Sequence, residues 1–219
     1  GCTHGGDHGF LESCCGAKGE AGDEQAFCRS RCACSFLSSL LGCRPEGVFE
    51  GGAHKANFVL FVTEHALTEY RVEEYNWLFA AEKADSAGVD IINSSLGYNE
   101  FDDPMMDYKV SDLNGTTAIV SLAATKAIEK GMVVVCSAGN EGSNSWKYVT
   151  PPADVEGILA TGAVTSTEAK TSFSSIGPTS DGRIKPDVMA LGSGTTVINP
   201  SGSVSTSSGT SLASPLIAS

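Results

Sequence analysis

The chain has 219 residues and a formal net charge of −12, with 26 Asp and Glu against 14 Lys and Arg. That balance argues against nucleic-acid binding and against attachment to anionic lipid, and no apolar run approaches the ~20 residues of a membrane-spanning helix. A 41% hydrophobic content suffices for one sizeable core, so a single soluble or secreted domain is the default.

Residues 1–34 read as an atypical Cys/Gly-rich segment. Seven of the eight cysteines fall within residues 1–43 (Cys2, Cys14, Cys15, Cys28, Cys32, Cys34 and Cys43), and only Cys136 follows. Three readings stand side by side. The segment is a disulfide-rich part of a secreted protein, a metal site in which His4 and His8 join the thiolates, or sequence foreign to the fold. The spacings match no paired C-x2-C zinc pattern, which weighs against the metal.

From residue 35 the chain alternates helices and apolar strands. Ser35–Leu41 has helical spacing and stops at Gly42, and 47–53 is a loop. Asn57–Thr63 is a continuous apolar run of strand length. Val72–Ala87 is predicted helical, with Val72, Tyr75, Leu78, Phe79 and Glu82 about a turn apart and Gly88 closing it. Val89–Ser95 is a second strand. Thr116–Lys130 is a second long helix, with a stripe of Ala118, Ile119, Leu122, Ala123, Ala127 and Ile128. Met132–Ser137 and Ile158–Val164 are further strands, Asp187–Leu191 and Thr195–Asn199 are shorter ones, and the low-complexity 201–208 reads as the edge of a hairpin. Wholly apolar strands alternating with helices imply an α/β fold, a doubly wound and mostly parallel sheet with helices on both faces. Ligand sites in such sheets lie past the carboxyl ends of the strands.

The polar, small-residue motifs sit at those ends. Ser94-Ser95-Leu96-Gly97 follows one strand and Ser137-Ala138-Gly139-Asn140 the next. An amide such as Asn140, delivered into a tight turn by a buried strand, is able to donate to a developing oxyanion without adding charge. At the far end, Gly209-Thr210-Ser211-Leu212-Ala213-Ser214-Pro215 runs a Ser/Thr/Gly stretch into apolar residues. This places Ser211 at the first turn of a buried helix, where free N–H groups and the helix dipole favour negative charge.

These strings resemble the subtilisin-like serine proteases, the subtilases. Gly209–Pro215 resembles their G-T-S-M/L-A-x-P nucleophile motif, Val133–Gly142 their V-x-A-A-G-N-x-G segment, and Ile92–Gly97 their I-N-x-S-L-G strand. Ser172–Gly177 and Lys185–Ala190 look like two structural runs of the family, and the resemblance covers about residues 36–219 in the family's order. It implies a subtilisin-like catalytic domain at 35–219, truncated at both ends. It also implies serine endopeptidase activity, with Ser211 as nucleophile and Asn140 in the oxyanion hole. Ser95, Leu96 and Gly97 would contact substrate, and Ala138 and Gly139 would form a second pocket wall. A peptide or protein is the implied partner, a secreted, periplasmic or cell-surface location is implied, and the chemistry needs no cofactor. The family often carries structural calcium, but no dense carboxylate loop stands out and no metal ligand is assigned.

The sequence departs from the family where the general base belongs. The resemblance puts that His near residue 32, where Arg31, Cys32, Ala33 and Cys34 stand, and none of these replaces an imidazole at neutral pH. His8, in Asp7-His8-Gly9, takes the role only if an insertion separates it from the helix at Phe36. His4 fits less well, and His54 and His65 read as loop histidines. No Asp stands in the family's D-S/T-G setting, and its strand is expected upstream of Gly1. The piece in hand is therefore expected to be a fragment, inactive by itself. A catalytically inactive, peptide-binding subtilase module is the alternative from another class.

Overall fold

The structure is a computed structural model that describes residues 51–53, 55–199 and 203–219. The expected helix at 35–41, the Cys-rich segment, His4, His8 and His54 lie outside those residues.

Helix α1 spans Val72–Ala87, the limits read from sequence. Glu73 and Glu74 lie in its first turn, and Gly88 ends it in the left-handed conformation (φ +74°), donating its N–H back to Asp85. Strand β1 (Ile91–Ser94) follows, then two single 3-10 turns at Pro104–Met106 and Val110–Asp112, helix α2 (Ile119–Glu129) and strand β2 (Val133–Ser137). β3 (Leu159–Val164) and β4 (Val188–Leu191) complete a sheet of order β1-β2-β3-β4 in which every pair is parallel. β5 (Thr195–Ile198) and β6 (Val204–Ser207) form an antiparallel hairpin, as expected for 201–208, and helix α3 (Thr210–Ala218) ends the chain.

Helices cover both faces of the sheet. Val134, Cys136 and Ala160 join one core with Trp77, Ala81 and Ala84 of α1 and Val120, Ala123 and Ala127 of α2. Side chains alternate along a strand, so Val135 and Ala163 face the other way, where α3 runs over all four strands. The core is dry enough to push the Cys136 thiol far above the ordinary thiol range, burial being the main cause.

Three expectations fail locally. Residues 57–63 form no strand: among the described residues no neighbouring backbone ladders with them, and Val59, Phe61 and Val62 are exposed. An apolar run without a hydrogen-bonding partner has nothing to make it a strand. On α1 Val72, Tyr75 and Phe79 of the expected stripe are exposed and Leu78 packs on the core, while Glu73, Glu74 and Trp77 are buried. The buried polar groups of Glu74 and Trp77 are satisfied by distant partners. Tyr108 Oη donates to Glu74 at 2.8 and 3.0 Å, Val120 N donates to Glu74 Oε1 at 3.2 Å, and Trp77 Nε1 donates to Ser94 Oγ at 2.9 Å. Glu74 thus supplies the cap that Ala118, at the start of α2, has no side chain to provide. On α2 itself Leu122 is half exposed, and Val120, Ser121 and Ala124 take the buried face with Ala123 and Ala127.

Candidate active site

Ser211 is the second residue of α3, and the helix fixes its surroundings. Pro215 lies four residues on and has no N–H, so the usual i→i−4 bond to the Ser211 carbonyl cannot form. That carbonyl instead accepts from Ser95 Oγ at 2.9 Å, and Ser211 Oγ donates to the Ser95 carbonyl at 3.4 Å. One turn further, Ser214 Oγ donates to Asn93 Oδ1 at 2.7 Å. The end of β1 and the first turns of α3 are therefore bound together, and Ser211 and Ser95 are brought into contact.

Asn140 stands at the end of the extension of β2, one residue beyond Gly139, whose φ of +104° favours glycine. Its Oδ1 accepts from Thr210 N at 2.9 Å and Thr210 Oγ1 at 3.0 Å. Both donors fix which way the amide faces, and among the described residues Nδ2 has no acceptor. Asn140 and Ser211 are thereby neighbours through Thr210, and a Cβ built on Gly209 would sit 3.8 Å from both terminal atoms of Asn140 and from Ser211 N. Ser175 brackets the same turn. Its N–H donates to the Gly139 carbonyl at 3.1 Å, and its Oγ accepts from Glu141 N at 3.0 Å. The Ser172–Gly177 run, given no chemistry from sequence, buttresses the Asn140 turn.

The extended residues after β1 divide into two roles. Leu96 packs its side chain on the core and its carbonyl accepts from Ser137 Oγ at 3.5 Å, while Gly97 is exposed. A Cβ on Gly97 would collide with Thr150 Oγ1, and one on Gly139 would come within 3.0 Å of the same atom. The two glycine-bearing segments therefore converge on Thr150. Its hydroxyl is buried and has no hydrogen-bond partner among the described residues, although its N–H donates to the Ala138 carbonyl at 3.2 Å. Ala138 is itself buried and donates to the Thr161 carbonyl. Thr150 escapes a sequence reading because its segment carries no motif; only the tertiary approach of Gly97 and Gly139 reveals it.

The Lys185-Pro186-Asp187 run is structural. The buried Lys185 ammonium pairs with Asp187 at 2.7 Å, and Asp187 also accepts from Ala160 N. His65 is an exposed loop residue whose Nδ1 meets Thr68 Oγ1 at 2.9 Å. It lies in the Glu64–Glu69 loop, and the structure gives it no contact with Ser211.

The parallel sheet thus sets Ser211 at the mouth of a helix with the Asn140 amide beside it. The chain belongs to the subtilase family, whose model matches residues 39–219. Subtilisin NAT of Bacillus subtilis subsp. natto is 35% identical over 147 residues, covering 66% of this chain and 33% of that protein. Subtilisin-like protease 1 of Arthroderma otae is 30% identical over 145 residues, covering 65% of this chain and 25% of that protein. The chain thus spans about a third or less of the length of these relatives. Two solved structures share its fold. The PatG macrocyclase in complex with peptide has a TM-score of 0.65 at 21% identity, covering 86% of this chain and 50% of that one. The self-cleaved protease domain of PatA has a TM-score of 0.65 at 23% identity, covering 84% of this chain and 62% of that one.

Proposed function

We propose that the protein is a serine endopeptidase in which Ser211 Oγ attacks the scissile carbonyl carbon. The carbonyl oxygen gains the negative charge and is held by Asn140 Nδ2 and by the Ser211 N–H at the α3 N-terminus. The serine proton passes to a histidine base and from there to the leaving amine, after which water hydrolyses the acyl-enzyme. The single observation that carries this reading is Thr210 pinning Asn140 Oδ1 beside Ser211, which leaves the amide N–H2 available to donate. One such donor contributes about 3–4 kcal/mol to the transition state, a magnitude measured on subtilisin itself.

Substrate lies extended along Ser95–Gly97, pairing through main-chain hydrogen bonds. Its residue before the scissile bond enters between Gly97 and the Ala138-Gly139 wall, with Thr150 at the bottom. The acyl transfer draws on no cofactor, and membership of the family supports a secreted, periplasmic or cell-surface location. His8 is the candidate base. An orienting Asp is not assigned in this chain, and residues 1–219 alone are inactive on this reading.

The absence of a histidine at Arg31–Cys34 favours a second reading, a subtilase fold that holds peptide without cutting it. Incubating the full-length protein with a diverse peptide mixture separates the two. Cleavage that disappears in Ser211→Ala supports the peptidase. Peptide that binds and is recovered intact supports the inactive module.

A further inference from the structure

The notch between Gly97 and Gly139 is filled from below by the Thr150 side chain. A Cβ on Gly97 would strike Thr150 Oγ1, with Thr150 Cβ 3.0 Å away. One on Gly139 would lie 3.0 Å from Oγ1 and 3.4 Å from Cγ2. The same atom on Gly139 would come within 2.8 Å of Ser175 Oγ, so Ser175 closes the floor beside Thr150. Exposure falls in the same direction. Gly97 is exposed and Gly139 half-buried at the rim, while Thr150 is 2% exposed and Ser175 fully buried beneath them. Thr150 is also held against withdrawal from both sides. Its N–H donates to the Ala138 carbonyl on one wall at 3.2 Å, and the adjoining Pro151 carbonyl accepts from Tyr98 N on the other at 3.0 Å. Its own carbonyl accepts from Ala153 N at 2.9 Å. A β-branched side chain has few rotamers in which to turn aside, and close packing leaves it no void to enter.

A long side chain pushed between the two glycines therefore meets Thr150 before it is buried. We infer that Thr150 restricts this protein to peptides with a small residue, glycine, alanine or serine, before the scissile bond, and turns away aromatic and long aliphatic ones. Steric exclusion carries the selection, because overfilling a packed site costs more than burying an added methylene gains. Serine suits the notch for a second reason: its hydroxyl meets that of Thr150, which has no partner among the described residues. The inference rests on the substrate placement proposed above and adds to it the residue that sets the depth of the pocket.

The test gives the full-length protein a peptide series that differs only in the residue before the scissile bond: Gly, Ala, Ser, Leu or Phe. Wild type should cleave after Ala and Ser with kcat/KM at least about tenfold above that for Leu and Phe. Thr150→Gly removes the plug and should raise kcat/KM for Phe at least about tenfold. Thr150→Val keeps the volume and should still reject Phe. Thr150→Ala takes the place of the glycine variant if thermal melts show that the latter does not fold. Wild type that cleaves after Phe or Leu as readily as after Ala overturns the inference and leaves the peptidase reading standing. A folded Thr150→Gly with the wild-type profile does the same. If no peptide of the series is cut, a fluorophosphonate reports separately whether the peptidase reading has failed, and the notch is read by calorimetry with peptides ending in Ala or Phe. Wild type should then prefer the Ala-ended peptide, and Thr150→Gly should gain at least about fivefold in affinity for the Phe-ended one. Equal wild-type affinities, or no gain in the variant, overturn the inference.

Discussion

Ser95 and Ser211 exchange hydrogen bonds across 116 residues of sequence, each hydroxyl donating to the other's carbonyl, at 2.9 and 3.4 Å. The stronger of the two exists because Pro215 leaves the Ser211 carbonyl without its helical donor. The Gly209–Pro215 motif thus does more than present a hydroxyl: its proline opens a carbonyl by which the segment after β1 orients the helix mouth. Ser95→Ala should lower kcat/KM about five- to tenfold, which corresponds to about 1–1.4 kcal/mol, and lower stability by a similar amount. Pro215→Ala restores a competing N–H. It should lower kcat/KM in the same direction without loss of thermal stability. Steady-state kinetics beside thermal melts on the full-length protein check both.

On the proposed peptidase reading, Asn140→Ala removes the side-chain oxyanion donor and should reduce kcat by about 10²–10³ with little change in KM. Thr210→Val takes away one of the two groups holding Asn140 Oδ1 and keeps the other. It should cost about fivefold, well short of the Asn140 loss. If the two variants have equal kcat values, Thr210 does not act through Asn140.

Thr150 carries a buried hydroxyl with no partner among the described residues, which is unfavourable to the folded state by itself. Thr150→Val preserves shape and removes that group, so it should raise stability by about 1 kcal/mol. If the hydroxyl meets substrate between Gly97 and Gly139, the same variant should raise KM for substrates with a polar residue before the scissile bond and spare those with an apolar one. A uniform change across both substrate sets would remove Thr150 from the pocket.

Glu74 joins α1 to α2 by accepting from Tyr108 and from the N-terminus of α2. Glu74→Ala leaves both donors buried without an acceptor and should destabilise the protein by about 2–4 kcal/mol. Val72→Ala, on the exposed face, should stay within about 0.5 kcal/mol. Chemical denaturation of the two variants tests which face of α1 is inside.

How much could be read in advance differs by level. The limits of α1, the strand–helix alternation and the hairpin were legible because glycine stops and apolar runs are local signals. The meeting of Ser95, Asn140 and Ser211 was legible because each motif ends a parallel strand or opens the helix that crosses them. The buried face of α1 was not, since Glu73 and Glu74 look like surface residues until Tyr108, His65 and the α2 N-terminus arrive from elsewhere in the chain. Residues 57–63 misled for a related reason: composition shows an apolar segment, while a strand also requires a neighbour. Thr150 carries no spacing signal at all, and only three-dimensional approach places it.

On the peptidase reading, Ser211 is an activated nucleophile facing an oxyanion site. A fluorophosphonate probe applied to the folded full-length protein, followed by peptide mapping, tests it most directly. A single covalent adduct is expected on Ser211, absent in Ser211→Ala and much slower to form in Asn140→Ala. Folded protein that remains unlabelled, or an adduct on another serine, would contradict it.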